Sequence, residues 1–144
     1  MRIYYVLARM SERVLLYVED EDAAVFLLET ALSDAAIDVA LYRVSDGEQA
    51  LSFLRKTGRY EMAPTPDLIL LDLNLPKVSG LQVLQEMQHN PNLSSIPVVV
   101  FTSSSLITDR RKSLALGAQD YITKPTNLDS FFQAVQGACS RLAQ

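Results

Sequence analysis

Short apolar runs alternate with amphipathic stretches along most of this chain. Val14–Val18 (VLLYV) and Leu68–Leu71 (LILL) are continuous apolar runs, and residues 97–101 (PVVVF) form another. Uninterrupted runs of this length are typical of strands that are covered on both faces of a sheet. Residues 39–44 and 119–122 are less apolar but have strand length, and we predict them as the second and fifth strands.

The segments between these strands carry apolar residues at helical spacing, as Val25, Leu28 and Leu32 do. The predicted helices cover residues 21–32, about 48–56, the stretch behind Gly80, about 109–116 and the segment from Leu128 to Leu142. Gly117 is the predicted end of the fourth helix.

Five strands alternating with five helices predict a parallel sheet with helices on both faces. Right-handed crossovers favour the α/β flavodoxin-like fold, a doubly wound five-stranded sheet in order 2-1-3-4-5. Residues 57–66 form a longer connection than usual and are predicted as an ordered surface loop. Residues 1–12 are interpreted as an N-terminal extension, which leaves residues 13–144 as one domain.

Polar side chains follow four of the five strands at the point where each apolar run stops. Glu19 and Asp20 follow the first strand, Asp72 the third, Thr102 the fourth and Lys124 the fifth. Ligands of open α/β sheets bind beyond the carboxyl ends of the strands, so these groups are expected to converge. Three converging carboxylates repel one another, and an all-oxygen donor set favours Mg²⁺, or Mn²⁺, over zinc.

Phosphoryl chemistry suits this set, because a carboxylate nucleophile can form an aspartyl phosphate, and Asp72 on the central strand is best placed for it. Each residue alone has a structural interpretation. Asp20 could cap a helix, Asp72 could be a turn residue, and Thr102 could bond to backbone. Lys124 alone would be a solvated lysine. Four such coincidences at one end of one sheet are much less plausible than a site.

Composition narrows the possible classes of protein. The chain has 144 residues and a net charge of −4, which argues against non-specific nucleic-acid binding. Its apolar runs are too short to span a membrane. The single cysteine, Cys139, allows no internal disulfide, so we expect a cytoplasmic location.

The residues at the strand ends also resemble the receiver domain of two-component response regulators. The matching segments are residues 15–20 (LLYVED), 67–76 (DLILLDLNLP) with Gly80, 98–103 (VVVFTS) and 117–125 (GAQDYITKP). The resemblance covers residues 13–142 and includes all five signature positions in order.

The resemblance implies that Asp72 is the phosphoacceptor and that a sensor histidine kinase is the phosphoryl donor. It implies that Asp20 binds Mg²⁺ directly, that Glu19 does so largely through water, and that Asn74 contributes its backbone carbonyl. The expected chemistry is therefore Mg²⁺-dependent self-phosphorylation and self-dephosphorylation of a signalling protein, without other enzymatic activity.

The same resemblance assigns the switch residues. Thr102 is the hydroxyl that moves toward the phosphoryl group, Tyr121 is the aromatic residue that follows it, and Lys124 pairs with the phosphoryl oxygens. A cis peptide is expected between Lys124 and Pro125, at a cost of only about 0.5–1 kcal/mol.

Within the family, the chain resembles the stand-alone regulators that pair with bacterial phytochrome kinases. The features that carry this resemblance are Glu19, residues 57–66 and residues 90–97. The resemblance thus implies a receiver without an output domain, and it allows a homodimer through the fourth helix, fifth strand and fifth helix. That face would include Arg110, Arg111, Phe132 and Gln136.

The alternative is a receiver-like protein-binding module or scaffold that is never phosphorylated. Two enzymes of related fold fit less well. A flavodoxin phosphate loop is incompatible with the acidic run at residues 19–22, and a haloacid-dehalogenase phosphatase needs an acidic residue where the chain has Asn74.

Overall fold

A computed structural model describes residues 12–143 of the chain, in which five strands and five α-helices alternate. The strands are Val14–Val18 (β1), Ala40–Val44 (β2), Leu68–Leu71 (β3), Val98–Thr102 (β4) and Asp120–Thr123 (β5). The helices are Asp22–Asp34 (α1), Gly47–Arg55 (α2), Gly80–Gln88 (α3), Ile107–Ala115 (α4) and Leu128–Cys139 (α5). Short 3-10 turns cover Gly58–Tyr60 and Ser140–Ala143. Residues 1–11 of the predicted extension lie outside the described residues.

The sheet has the order β2-β1-β3-β4-β5, and every neighbouring pair of strands is parallel. Val18 lies opposite both Val44 and Leu71 in the register, so β1, β2 and β3 end at the same level. The predicted flavodoxin-like order is therefore confirmed, and the polar residues that follow the strands lie along one edge of the sheet.

Two apolar layers enclose the sheet, one on each face. Residues of α1 and α5, including Leu28 and Val135, pack on one face, and residues of α2 and α3, including Phe53 and Val83, pack on the other. The strand side chains between these layers are buried, as the continuous apolar runs predict. No helix in the described part of the chain has the length and apolar content needed to cross a bilayer.

The fourth helix packs less apolar surface than the others. Within α4, all of which is described, Ser113 is the only buried residue. Leu106 and Ile107 at its start are each 62% exposed. The helix begins two residues before the predicted position, and its N-cap residue Leu106 makes no side-chain cap. With neither a capping side chain nor a strong apolar stripe, the sequence carries little signal for this boundary.

Close backbone packing fixes the loop that follows β3. A Cβ atom on Gly80 would lie 2.3 Å from the carbonyl oxygen of Asp72, and one on Gly47 would lie 1.9 Å from that of Val78. Glycine at both positions lets the first turns of α3 and α2 approach this loop directly. The loop that carries Asp72 is thus held between two helix starts.

The connection at residues 57–66 is ordered, as predicted. It contains the 3-10 turn, and the Tyr60 ring packs on Phe53 with ring centroids 5.4 Å apart. The Lys56 ammonium donates to the carbonyl oxygen of Ala63 at 2.8 Å.

Candidate functional site

Three carboxylates meet at the carboxyl edge of the sheet. Glu19 and Asp20 follow β1 and Asp72 follows β3, and one oxygen from each lies within 4.8 Å of the other two. Glu19 and Asp72 are buried, whereas Asp20 is exposed at the rim. The N-cap of α1 is Glu21, so the alternative that Asp20 caps this helix is wrong.

The Asp72 carboxylate is held by groups at the ends of β4 and β5 and by the backbone of its own loop. The Thr102 hydroxyl donates to Asp72 Oδ1 at 2.7 Å, and the Asn74 backbone N–H donates to the same oxygen at 3.3 Å. The Lys124 ammonium lies 3.5 Å from Asp72 Oδ2. The Thr102 hydroxyl thus donates to the carboxylate and also accepts from the backbone N–H of Ser104 at 3.4 Å, and Oδ2 of Asp72 faces a cation.

Glu19 is fully buried, and both of its carboxylate oxygens accept hydrogen bonds from the protein. Its Oε1 accepts hydrogen bonds from the Lys124 ammonium and, at 3.3 Å, from the Tyr17 hydroxyl. Its Oε2 accepts from the Glu21 N–H at 3.1 Å. Burial raises the pKa of the Glu19 carboxyl above its ordinary value, while the hydrogen bond and charge of Lys124 act in the opposite direction.

Lys124 is a structural part of this edge. Its side chain is only 14% exposed and pairs with both Glu19 and Asp72, so the interpretation as a solvated lysine is wrong. Its ammonium also lies 6.0 Å from the centre of the Phe101 ring. A single cation thus offsets part of the repulsion among three carboxylates.

The expected cis peptide before Pro125 is not found. Among the residues that the structure describes, every peptide bond is trans. The Lys124 ammonium reaches both carboxylates with the trans bond, which is the intrinsically favoured isomer by about 0.5–1 kcal/mol. The cis prediction is therefore wrong for this structure.

Tyr121 lies beside the loop that follows β4. Its ring is buried, and its hydroxyl donates to the carbonyl oxygen of Ser104 at 2.8 Å. The Ser104 hydroxyl in turn donates to Asp109 of α4 at 2.6 Å. Arg110 of α4 donates to the Tyr121 carbonyl at 3.2 Å. Tyr121 and the residue pair Ser104–Asp109 thereby connect β5, the loop after Thr102 and α4.

Two polar residues of the site were not identified from the sequence. Arg43, which is 6% exposed, donates from Nε to the Glu19 carbonyl at 2.7 Å and from Nη1 to Asp22 at 2.8 Å. Hydrogen bonding to Arg43 lowers the pKa of Asp22 below its ordinary value. Tyr17 supplies the hydroxyl beneath Glu19. The signal available in the sequence is a polar group within a strand segment that is otherwise largely apolar.

The donor chemistry of this edge fits a divalent cation. The three carboxylates offer only oxygen atoms, which suit Mg²⁺ or Mn²⁺. The Asn74 backbone follows Asp72 in the same loop and is tied to it by the N–H bond. Glu19 and Asp72 are buried on the protein side, and the exposed Asp20 leaves the site open to solvent.

Comparison with known proteins identifies similar chains. Residues 15–136 match the response regulator receiver domain family. Response regulator Rcp1 of Synechocystis sp. is 46% identical over 125 residues, which cover 87% of this chain and 85% of Rcp1.

Two solved structures are similar over nearly the whole described chain. The Mn²⁺-bound form of Rcp1 superposes with a TM-score of 0.84 at 45% identity and covers 89% of this chain and 92% of its own. The phosphorylated cyanobacterial phytochrome response regulator RcpA gives a TM-score of 0.85 at 41% identity, covering 90% and 92%.

Proposed function

Because this chain belongs to the response regulator receiver domain family, we propose that it accepts a phosphoryl group on Asp72 from a sensor histidine kinase. Phosphorylation then changes the protein-interaction surface of the domain. The observation that carries the proposal is the placement of Asp72, whose carboxylate lies between the Thr102 hydroxyl and the Lys124 ammonium beside two further carboxylates.

The chemical step is a displacement at phosphorus. A carboxylate oxygen of Asp72 attacks, the bond from phosphorus to the donor histidine nitrogen breaks, and its electron pair leaves on that nitrogen. Asp72 is 4% exposed and held by Thr102 and Asn74, so its approach direction is set before the donor arrives.

Lys124 and Thr102 act on the product. Transfer converts the Asp72 carboxylate to an acyl phosphate and places negative charge on the phosphoryl oxygens. Lys124, now within 3.5 Å of Asp72, moves from Glu19 to pair with those oxygens. The Thr102 hydroxyl transfers its hydrogen bond from Asp72 Oδ1 to a phosphoryl oxygen, and Tyr121 follows through the loop that contains Ser104.

A divalent cation supplies positive charge to the phosphoryl oxygens when it is bound. Mg²⁺ is the proposed ion, with Mn²⁺ as a substitute, and Rcp1 has a Mn²⁺-bound structure. The residues that would hold it are Asp20, Asp72, Glu19 and the backbone carbonyl of Asn74. Loss of the phosphoryl group to water, the self-dephosphorylation expected of the family, resets the same site.

The partners form a second part of the proposal. The similarity to RcpA, a cyanobacterial phytochrome response regulator, supports a bacterial phytochrome as the cognate kinase. Residues 13–144 are proposed to form the receiver domain, and the protein is proposed to act in the cytoplasm. A homodimer through α4, β5 and α5 is supported by the exposure of Arg110, Arg111 and Gln136 on that face.

The test is the intact mass of the protein after incubation with acetyl phosphate, with and without Mg²⁺. We expect one phosphoryl adduct that requires Mg²⁺, decays after the donor is removed and is absent from Asp72→Asn. Asp67→Asn is the matched control, because it makes the same change just before β3, at the opposite end of that strand. If neither acetyl phosphate nor a panel of histidine kinases phosphorylates the wild type, the binding-module alternative replaces the proposal.

A further inference from the structure

Tyr17 places a phenol hydroxyl in the middle of an otherwise apolar strand, directly beneath the acidic group. The residue is fully buried, and its ring packs on Phe101 with centroids 6.4 Å apart. Phe101 also lies under the Lys124 ammonium. Ring packing therefore fixes where the hydroxyl points, and it points at Glu19.

The Tyr17 hydroxyl and the Lys124 ammonium donate to the same oxygen, Oε1 of Glu19. The hydroxyl is the more distant of the two donors, at 3.3 Å. Burial, and then the charges of Glu19 and Asp72, raise the pKa of Tyr17 far above its ordinary value.

When Lys124 moves away, the buried Glu19 carboxylate loses its charged hydrogen-bond donor. Glu19 is 0% exposed, so, apart from the water expected between it and Mg²⁺, solvent cannot readily replace the ammonium at Oε1. A buried carboxylate that loses a charged donor without replacement is strongly disfavoured. The Glu21 N–H is bonded to the other oxygen, Oε2, so that among the described residues Tyr17 is the second donor already placed at Oε1.

We propose that Tyr17 is a positioning residue whose hydroxyl retains Glu19 when the Lys124 ammonium moves to an anionic oxygen bound at Asp72. The inference rests on the proposed function, because it concerns the step in which Lys124 changes partner. Tyr17 touches neither the phosphoryl donor nor Asp72 and acts only by making that exchange less costly. In a protein that lacks the Tyr17 hydroxyl, the Lys124 ammonium stays at Glu19.

The experiment uses beryllofluoride as a stable stand-in for the phosphoryl group, at saturating Mg²⁺, with the bound anion counted by fluorine NMR. Tyr17→Phe removes the hydroxyl and keeps the ring on Phe101. We expect beryllofluoride affinity to fall about three- to tenfold, the effect of one hydrogen bond. Mg²⁺ affinity measured without the anion stays within about twofold, since Lys124 does not leave Glu19 in that step.

Tyr60→Phe is the matched control. It also deletes a phenol hydroxyl, which donates to Gln49 at 3.4 Å and accepts from Arg59 at 2.8 Å, but in a half-buried residue of the connection at residues 57–66. Its beryllofluoride affinity should equal that of the wild type. An unchanged affinity in Tyr17→Phe, or an equal loss of Mg²⁺ and anion affinity, overturns the inference while leaving the proposed function intact.

A second measurement on the wild type does not depend on any variant. In protein labelled with carbon-13 at the tyrosine Cζ atoms, the Tyr17 signal must shift when beryllofluoride is added to the Mg²⁺-loaded protein. The shift is expected because the hydroxyl bond to Glu19 strengthens as Lys124 leaves. Anion binding without that shift contradicts the role of Tyr17. A wild type that binds no beryllofluoride contradicts the proposed function as well.

Discussion

Replacing Asp20 by asparagine preserves the size of the side chain and removes one negative charge from the acidic group. The wild-type carboxylates of Glu19, Asp20 and Asp72 lie within 4.8 Å of one another, and in the part of the chain that the structure describes the cation paired with them is Lys124. Neutralising the exposed member should therefore stabilise the metal-free protein. The same change should weaken the response of the protein to Mg²⁺.

The magnitude follows from Coulomb's law. Two unit charges 4.8 Å apart repel by about 1 kcal/mol in water and by about 3.5 kcal/mol at an effective dielectric constant of 20. Asp20 is exposed and Lys124 offsets part of the charge on its neighbours, so the lower end applies. We expect Asp20→Asn to raise the free energy of unfolding of the metal-free protein by about 1–2 kcal/mol, or roughly 4 °C in Tm per kcal/mol.

Mg²⁺ should reverse the order of stability. At a Mg²⁺ concentration 100 times its Kd, the wild type gains about 2.7 kcal/mol, which exceeds the advantage of the variant. Asp20→Asn should gain much less, because it lacks one anionic oxygen donor.

The assay is thermal unfolding of both proteins in EDTA and in a Mg²⁺ series, with Glu61→Gln as a control for the loss of an exposed acidic charge at residues 57–66. If the metal-free variant is no more stable than the wild type, the carboxylates are not in net repulsion. If Mg²⁺ stabilises both proteins equally, Asp20 is not a metal ligand.

Two further predictions concern stability. The Ser113 hydroxyl is buried and has no hydrogen-bond partner among the described residues. Ser113→Ala should therefore raise the free energy of unfolding, measured by urea titration, by about 1 kcal/mol. Ser104→Ala deletes the 2.6 Å bond to Asp109 and should lower the free energy of unfolding. Arg43 lowers the folded-state pKa of Asp22, so the contribution of this pair is present above the ordinary aspartate pKa and is lost as the pH falls through the lower folded value. The difference in Tm between wild type and Asp22→Asn should accordingly disappear under acidic conditions, and a difference that persists there would refute the pairing.

The strand pattern and the strand-end residues were the part of this protein that the sequence predicted best. Val14–Val18 and Leu68–Leu71 were predicted with the bounds that the structure has, because continuous apolar runs have abrupt ends. The family resemblance, drawn from the motifs at those ends, is confirmed by the match over residues 15–136. The roles assigned to individual site residues remain predictions.

What escaped prediction depends on contacts between distant segments. Lys124 and Glu19 are 105 residues apart, and no local pattern shows that the lysine bonds to Glu19 as well as to Asp72. Tyr17 and Arg43 face each other across β1 and β2, and only that register brings both beneath the loop after β1. The isomer of the peptide before Pro125 was wrongly predicted from family resemblance, because the local sequence is compatible with both isomers.

The sparse packing of α4 has a consequence for how far a local change at Asp72 can spread. Ser113 is its only buried residue, and polar bonds such as Ser104–Asp109 and Arg110–Tyr121 connect the helix to the loop after β4 and to β5. A bound group can bias a conformational equilibrium only by the difference in its binding free energy between the two states. For a helix held by a few hydrogen bonds, a difference in free energy equal to that of one new contact is enough to shift the equilibrium between the two states. If Asp72 is phosphorylated as proposed, the face around α4 is therefore where we expect a single phosphoryl group to change the shape of the domain.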